Sequence, residues 1–377
     1  MKSTNKTKLC FVSLGSYPLF NPKCDRTFGG AEIQMYLLAK ELSKNNDFEL
    51  SFIVGDFGQE KIEKYGKISV YSSIKPNSKR TLFSKLYPRS KILLLNLLRK
   101  IRPDIVIQRS ASAGTGMLCF FAHLFGAKFI YMSAHEIDCN GGYEKQNNWL
   151  IGKFFQYGIR HADLVVTQSK EHQQMIKECH RKESLVMPSM YEIPNESIID
   201  TAKKDIILWV GRVEDWKQPD LFIELARHFP NERFIMIAPI SNNQPKYYEN
   251  LKRELSKVNN VEHIHYVPFK EIDNYFRRAK VYVLTSRYEG FPNTFVQAAK
   301  NKTPLLSFSV NPDGIIQKYN CGLFAKGDKK TLKIHLGELL SKREKREELA
   351  ENAYQYARKR HDITRIAKEY SQILKRL

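Results

Sequence analysis

The sequence predicts an α/β chain of two doubly wound, Rossmann-like domains. Three observations carry that prediction: the length, an alternation of strand-like and helix-period runs that occurs twice, and polar punctuation at the strand ends. Single cores stop growing at about 250–300 residues, so 377 residues read as two domains, and 42% hydrophobic residues suffice to bury both. In the first half, apolar runs at 9–14, 50–54, 68–71, 104–107, 129–132 and 164–167 are separated mostly by helix-period segments, the pattern of a largely parallel sheet. The second half repeats it at 206–210, 234–237, 263–267, 281–284 and 304–308. Between them, residues 187–195 are punctuated by two prolines and show little periodicity. The expected division is a first domain over 1–187, a linker over 188–204 and a second domain over 205–362. From about residue 329 the chain turns helical and highly charged.

Several function classes fall away. Cys10, Cys24, Cys119, Cys139, Cys179 and Cys321 are scattered without a CxxC pair or metal-ligand spacing, so they read as reduced thiols, as in the cytoplasm. The apolar run after Lys8 is broken by Gly15, Ser16 and Pro18 and reads as a first strand, not a signal peptide. The most apolar longer stretch, 116–132, contains His123 and Lys128 and is too short to span a bilayer. A dinucleotide oxidoreductase needs GxGxxG, and the nearest candidate, Gly114-Thr115-Gly116, has Cys119 in place of the third glycine. No helix-turn-helix, RNP or zinc-finger signature supports a nucleic-acid partner.

Open parallel sheets bind ligands at the carboxyl ends of their strands. Four polar clusters fall there: Gly29-Gly30 opening the first long helix, His135-Glu136 after 129–132, Gly211-Arg212 with Lys217 after 206–210, and Glu289 after 281–284. Pro292 suits the first position of a helix continued by Asn293, Thr294 and Gln297. Amides at such a start attract phosphate, while Glu289 upstream can bind hydroxyls. Phosphate plus hydroxyls points to a nucleotide sugar. Each residue also has a plainer reading. Gly29-Gly30 serves equally as a tight turn, Arg212 and Lys217 as surface cations paired with Glu214, Asp215 or Asp220, and His135 as a satisfied structural histidine.

Taken together, Gly29-Gly30-Ala31-Glu32, His135, Gly211-Arg212 with Lys217, Glu289-Gly290-Phe291-Pro292 and Asn311-Pro312-Asp313-Gly314 resemble the GT-B glycosyltransferases of family 4, over nearly the whole chain. The resemblance implies two Rossmann-like domains facing a central cleft, and retaining transfer of a sugar from a nucleotide-sugar substrate without metal or other cofactor; no DxD triplet occurs. UDP is the family's commonest nucleotide. It implies that Arg212 and Lys217 grip the donor diphosphate and that Glu289, with Gly290 and Phe291, meets the sugar. Asn293 and Thr294 would offer amides to phosphate, Val267 would line the base pocket, and Gly211, Gly29 and Gly30 would let backbone approach donor or acceptor. His135 would face the reacting sugar. The second glutamate of the family's Glu-seven-residues-Glu motif is Gln297 here, still able to hydrogen-bond ribose. A glycoside hydrolase would need a second carboxyl that Gln297 cannot supply. The family's last helix, matching residues 363–377, crosses back to the first domain.

Charge adds a separate expectation. The net charge is +21, and nine cations with no acid lie from Lys75 to Arg102, interleaved with Leu82, Phe83, Leu86 and Tyr87. Such a block suits an anionic membrane carrying a glycan or polyprenyl-linked acceptor, which would make the protein peripheral on the inner face of the cell membrane in cell-surface polysaccharide biosynthesis. The alternative is a solvated loop followed by a core helix over 92–101. A glycosyltransferase-like protein that binds a sugar nucleotide or a partner without turnover is the rival function.

Overall fold

The computed structural model describes residues 6–24, 26–75, 88–199, 203–239 and 244–377, the side chains of 88–91 excepted. The chain divides into two compact units: Met1–Met190 with Ile363–Leu377, and Tyr191–Asp362. The first holds an eight-stranded sheet of β1 (Thr7–Val12), β2 (Phe48–Val54), β3 (Ile62–Tyr65), β4 (Ile68–Ser72), β5 (Ile105–Arg109), β6 (Lys128–Met132), β7 (Leu164–Thr167) and β8 (Leu185–Val186). The spatial order is β3-β4-β2-β1-β5-β6-β7-β8, parallel except where β3 meets β4. From β1 the chain winds one way through β2 and the other way through β5, so the topological switch lies at the carboxyl ends of β1 and β5.

Helices over Pro88–Ile101, Thr115–Leu124, Trp149–His161 and Lys170–His180 cover one face of this sheet. Leu98, Leu118, Phe155 and Ile176 from those helices share a core cluster with Val106, Phe129 and Val165 from the strands. Because β1 is followed by a crossover in the opposite direction, the Gly30–Leu42 helix belongs to the other face. The last helix, Ile363–Leu374, packs against it. Its buried residues Ile363, Ile366, Ala367, Tyr370 and Leu374 form a stripe at helical spacing, and Asn45 donates to Ser371 Oγ at 3.3 Å.

The second unit holds six parallel strands: β9 (Ile206–Val210), β10 (Arg233–Ile237), β11 (Val261–Ile264), β12 (Ala279–Leu284), β13 (Leu305–Ser307) and β14 (Gly322–Phe324). Their order is β11-β10-β9-β12-β13-β14, which places the switch between neighbours β9 and β12. Trp209, Phe222, Phe234, Val283, Leu306 and Leu332 fill one side of the sheet. At the amino ends of β9 and β12, Arg278 donates to both Asp205 oxygens, at 3.0 and 2.7 Å, and Asp205 N donates to Arg278 O. The Arg278 hydrogen bond holds the Asp205 carboxyl below its usual pKa.

The run expected over 263–267 is displaced: β11 is Val261–Ile264, and its register with Phe234–Ile237 places polar Glu262 and His263 in the ladder while Tyr266 is exposed. β3, β8 and β14 were not anticipated, because β3 is an alternating edge strand and the other two have two and three residues. In the basic block, residues 76–87 lie outside the described residues, Lys79, Arg80 and Lys85 among them. Its second half is the Pro88–Ile101 helix, with Leu98 and Ile101 in the core and Arg99, Lys100 and Arg102 exposed.

Candidate functional site

In the second unit the loops after β9 and β12 meet because their strands are neighbours. Beyond Val210 the chain passes Gly211 and Arg212, makes one tight turn over Asp215–Lys217, and enters the Pro219–His228 helix through Gln218 in the left-handed conformation (φ 48°, ψ 54°). This route aims Lys217 at the second loop. Its Nζ lies 2.5 Å from Glu289 Oε1, which also accepts from Ser286 Oγ at 2.8 Å. The two side chains are only 15% and 13% exposed, so the pair is mostly withdrawn from water.

The lysine is fixed through its backbone as well. Thr285 Oγ1 donates to Lys217 O at 2.6 Å and accepts from the indole N–H of buried Trp209 at 2.9 Å. Arg287 N donates to Trp216 O at 2.8 Å, Trp216 stacks on Tyr288 with centroids 5.3 Å apart, and Lys217 Nζ lies 4.3 Å from the Trp216 ring centroid. Gly211 supplies room: a Cβ there would stand 3.0 Å from the Trp209 ring and 3.2 Å from Lys217 Cδ. Surface pairing of Lys217 with Asp215 or Asp220 is not what forms, since Asp215 lies 3.9 Å from Arg287 and Asp220 accepts from Tyr247. Arg212 is exposed on the same loop.

Pro292 sits one position earlier than expected, as the N-cap of the Asn293–Ala299 helix, because its ψ of 114° is extended. The Thr294 hydroxyl accepts from Tyr282 Oη at 2.7 Å, and the Asn293 Oδ1 is buried without a partner among the described residues. Gln297 is buried at 5% exposure on this helix. Gly290 is buried, and Phe291, at 7% exposure, packs on the His361 ring at 5.3 Å, so its side chain belongs to the core. Val267 is half-buried in the loop beyond β11. Asn311 Oδ1 accepts from Ile316 N at 3.0 Å, closing a turn in which Asp313 and Gly314 take φ of 53° and 65°.

In the first unit, Gly29 caps the Gly30–Leu42 helix, and its N–H donates to Glu32 Oε2 at 2.9 Å. That amide is therefore taken by the helix's own third residue, and the glycines offer a ligand backbone room. Gly15, after β1, abuts the same carboxylate: a Cβ there would lie 2.8 Å from Glu32 Oε1. His135 follows β6 and caps a short turn over Glu136–Asp138; its Nδ1 accepts from Ile137 N at 3.3 Å, which leaves the proton of the neutral ring on Nε2. Asp138, 1% exposed, accepts from the N–H groups of Ala134 and His135 at 2.8 and 3.2 Å. Burial pushes its carboxyl above the usual range against the pull of those donors.

The fold thus joins Lys217 and Glu289 over Gly211, and separately sets Gly29, Gly30 and His135 at strand ends of the first unit. Sequence reasoning passed over Trp209, Thr285, Ser286 and Asp138, which with Glu32 position these groups. The signal was present for three of them: Thr285-Ser286 directly follow the apolar strand, and Asp138 stands three residues after His135, the spacing of a cap. Among the described residues no cluster of three or more His, Cys, Asp or Glu side chains is arranged to hold a metal ion.

Comparison with known proteins gives two family matches: Glycosyltransferase Family 4 over residues 28–188 and Glycosyl transferases group 1 over residues 194–356. The chain is 23% identical over 370 residues, 92% of its own length and 95% of the relative's, to the GalNAc-alpha-(1->4)-GalNAc-alpha-(1->3)-diNAcBac-PP-undecaprenol alpha-1,4-N-acetyl-D-galactosaminyltransferase of Campylobacter jejuni. Among solved structures, sucrose-phosphate synthase from Thermosynechococcus elongatus matches with a TM-score of 0.82 at 14% identity, covering 98% of this chain and 99% of that one. Anabaena HepE in complex with UDP-glucose matches with a TM-score of 0.72 at 15% identity, covering 98% and 100%. Two parallel-sheet units, each wound about a switch point, and two adjacent family matches agree: the chain belongs to the family 4 glycosyltransferases and has the GT-B fold.

Proposed function

We propose that the protein is a retaining, metal-independent glycosyltransferase that moves a sugar from a UDP-sugar to a glycan or lipid-linked acceptor in cell-surface polysaccharide biosynthesis. The observation that carries this reading is the Lys217–Glu289 pair at the switch point of the second sheet, 2.5 Å apart and held by Thr285 and Ser286. A lysine fixed there, with Arg212 on the same loop, suits a diphosphate whose charge grows as the sugar departs. Glu289 suits sugar hydroxyls and exchanges its hold on Lys217 for them when the donor binds. Gly211, Gly290, Phe291, Asn293 and Thr294 complete the donor loops, Gln297 takes the ribose and Val267 the base. His135 donates its Nε2–H to the reacting sugar, and Gly29 and Gly30 give backbone room to donor or acceptor.

In the proposed reaction the bond from the anomeric carbon to the phosphate oxygen breaks, the acceptor hydroxyl bonds to the same face of that carbon, and its proton passes to the departing phosphate. Lys217 and Arg212 stabilise that phosphate; no cofactor takes part, and the nucleotide sugar is a substrate. HepE crystallised with UDP-glucose supports the choice of UDP, and the Campylobacter relative, named for an undecaprenyl-diphosphate substrate, supports a lipid-linked acceptor. Among the described residues no helix is long and apolar enough to cross a membrane. The proposed location is peripheral, on the inner face of the cell membrane, with the acid-free block from Lys75 to Arg102 as its contact.

A second reading, binding without turnover, is favoured by Gln297 in place of the family's glutamate. Release of nucleoside diphosphate from a UDP-sugar, measured with and without acceptor glycolipid, separates the two. Acceptor-dependent release supports transfer, whereas binding with no release supports the second reading.

A further inference from the structure

The helices Thr115–Leu124 and Trp149–His161 cross in close contact: a Cβ on Gly116 would lie 2.0 Å from Phe154 O, and one on Gly158 would lie 2.9 Å from Gly116 N. On the solvent side of that crossing, Phe120 and Leu124 follow Gly116 at four-residue intervals, as Leu150 precedes Phe154, so each helix presents an apolar row. These residues are not buried: Phe120 is 51% exposed, Leu124 59%, Phe154 48% and Trp149 74%. Ile92, on the adjacent Pro88–Ile101 helix, is exposed as well. An apolar surface of this extent, carrying three aromatics, marks a docking face.

Charge decides the occupant. No carboxylate occurs over residues 88–103, 105–135 or 145–162, while Arg99, Lys100, Lys145 and Lys153 are exposed on these segments. At the border, Asp163 is already taken by His123 and Lys128, at 2.8 and 3.1 Å. A second copy docked about a two-fold axis would set cations mainly against cations, since Asp104, Glu144 and Asp163 lie only at the margins of the face. A surface with anionic heads above an apolar interior satisfies both halves, and Trp and Phe are the residues that settle at such an interface.

We propose that the helices Thr115–Leu124 and Trp149–His161 insert their exposed aromatics into the interface of an anionic bilayer, with Lys153, Arg99 and Lys100 on the lipid phosphates. This deepens the reading of a lipid-linked acceptor and rests on it for its purpose, although docking can be measured without turnover. The test is co-sedimentation with vesicles of phosphatidylcholine with or without phosphatidylglycerol, using wild type, Phe120→Ser/Phe154→Ser and Lys153→Glu, together with quenching of Trp149 by bromine-labelled acyl chains and Trp149→Phe as control. Wild type is expected to bind the anionic vesicles preferentially and to be quenched; the double variant should bind roughly ten-fold or more weakly with an unchanged melting temperature, and Lys153→Glu should also weaken binding. Absence of vesicle binding, binding unaffected by the double variant, or a dimer that the double variant turns into monomers would each overturn the proposal. A thermal shift with UDP-sugars in the same preparation keeps the two readings apart: donor binding without vesicle binding refutes docking alone, and vesicle binding without donor binding refutes the proposed activity alone.

Discussion

Replacing Lys217 by alanine separates a catalytic cation from a structural one. The side chain pairs with Glu289 at 2.5 Å and is 15% exposed, so its removal leaves a mostly buried carboxylate that keeps the Ser286 hydroxyl. A partner of this kind is worth about 1–2 kcal/mol to the fold, a drop of roughly 2–8 °C in the melting temperature of a unit this size. If the ammonium instead turns to the donor diphosphate, the lost charge-assisted bond is worth about 1.5–3 kcal/mol, or roughly ten- to 150-fold in kcat/KM. The assay is nucleotide release at limiting donor, run beside a thermal melt, on Lys217→Ala and on Glu289→Gln, which keeps both neighbours while removing the charge. Expected are a folded Lys217→Ala protein with turnover reduced by at least about ten-fold, and a Glu289→Gln protein melting close to wild type with altered donor affinity. Turnover of Lys217→Ala within about two-fold of wild type would refute the reasoning, because the pair would then be structural only.

Three further outcomes are expected. Gly211→Ala sets a methyl 3.0 Å from the Trp209 ring and 3.2 Å from Lys217 Cδ, so donor-limited turnover should fall several-fold, about 1 kcal/mol, and unchanged kinetics would show that the lysine stem is free to move. Gln297→Ala should weaken donor binding by about 0.5–1.5 kcal/mol in calorimetry and Gln297→Glu by less; equal affinities across all three proteins would mean that this side chain does not touch the nucleotide. Asp205, held below its usual 3.8 by Arg278, contributes stability that is present above the unfolded-state pKa and lost as pH falls through the lower folded value. The melting-temperature gap between wild type and Asp205→Asn should therefore narrow from about pH 6 to about pH 3, and a constant gap would dismiss the ion pair as its cause.

The parallel strands were legible because sheets buried on both faces are written as unbroken apolar runs: 206–210 and 281–284 reappear as β9 and most of β12. β11 slipped because backbone pairing with β10, not apolarity, defines a strand, and Val261-Glu262-His263-Ile264 carries two polar residues on an edge. At the donor loops, strand-end position singled out Lys217 and Glu289, but not that they face each other. That depends on β9 and β12 being neighbours, a long-range pairing that no local pattern encodes. The burial of the Phe291 ring was illegible for a related reason: the residue it packs on, His361, lies seventy residues away in sequence. The aromatic face over 115–125 was not singled out, since an apolar run does not say which of its residues the neighbouring helix leaves uncovered.

The central claim, that the loops after β9 and β12 hold a nucleotide sugar through Arg212 and Lys217, is tested most directly by the thermal shift of wild type and an Arg212→Ala/Lys217→Ala variant with UDP-sugars. A ligand at about 100 times its Kd stabilises the folded state by about 2.7 kcal/mol. The account predicts a rise in melting temperature for wild type with at least one UDP-sugar, and little or none for the double variant at the same concentration. Equal shifts in both proteins, or no shift for wild type with any nucleotide sugar, would contradict it.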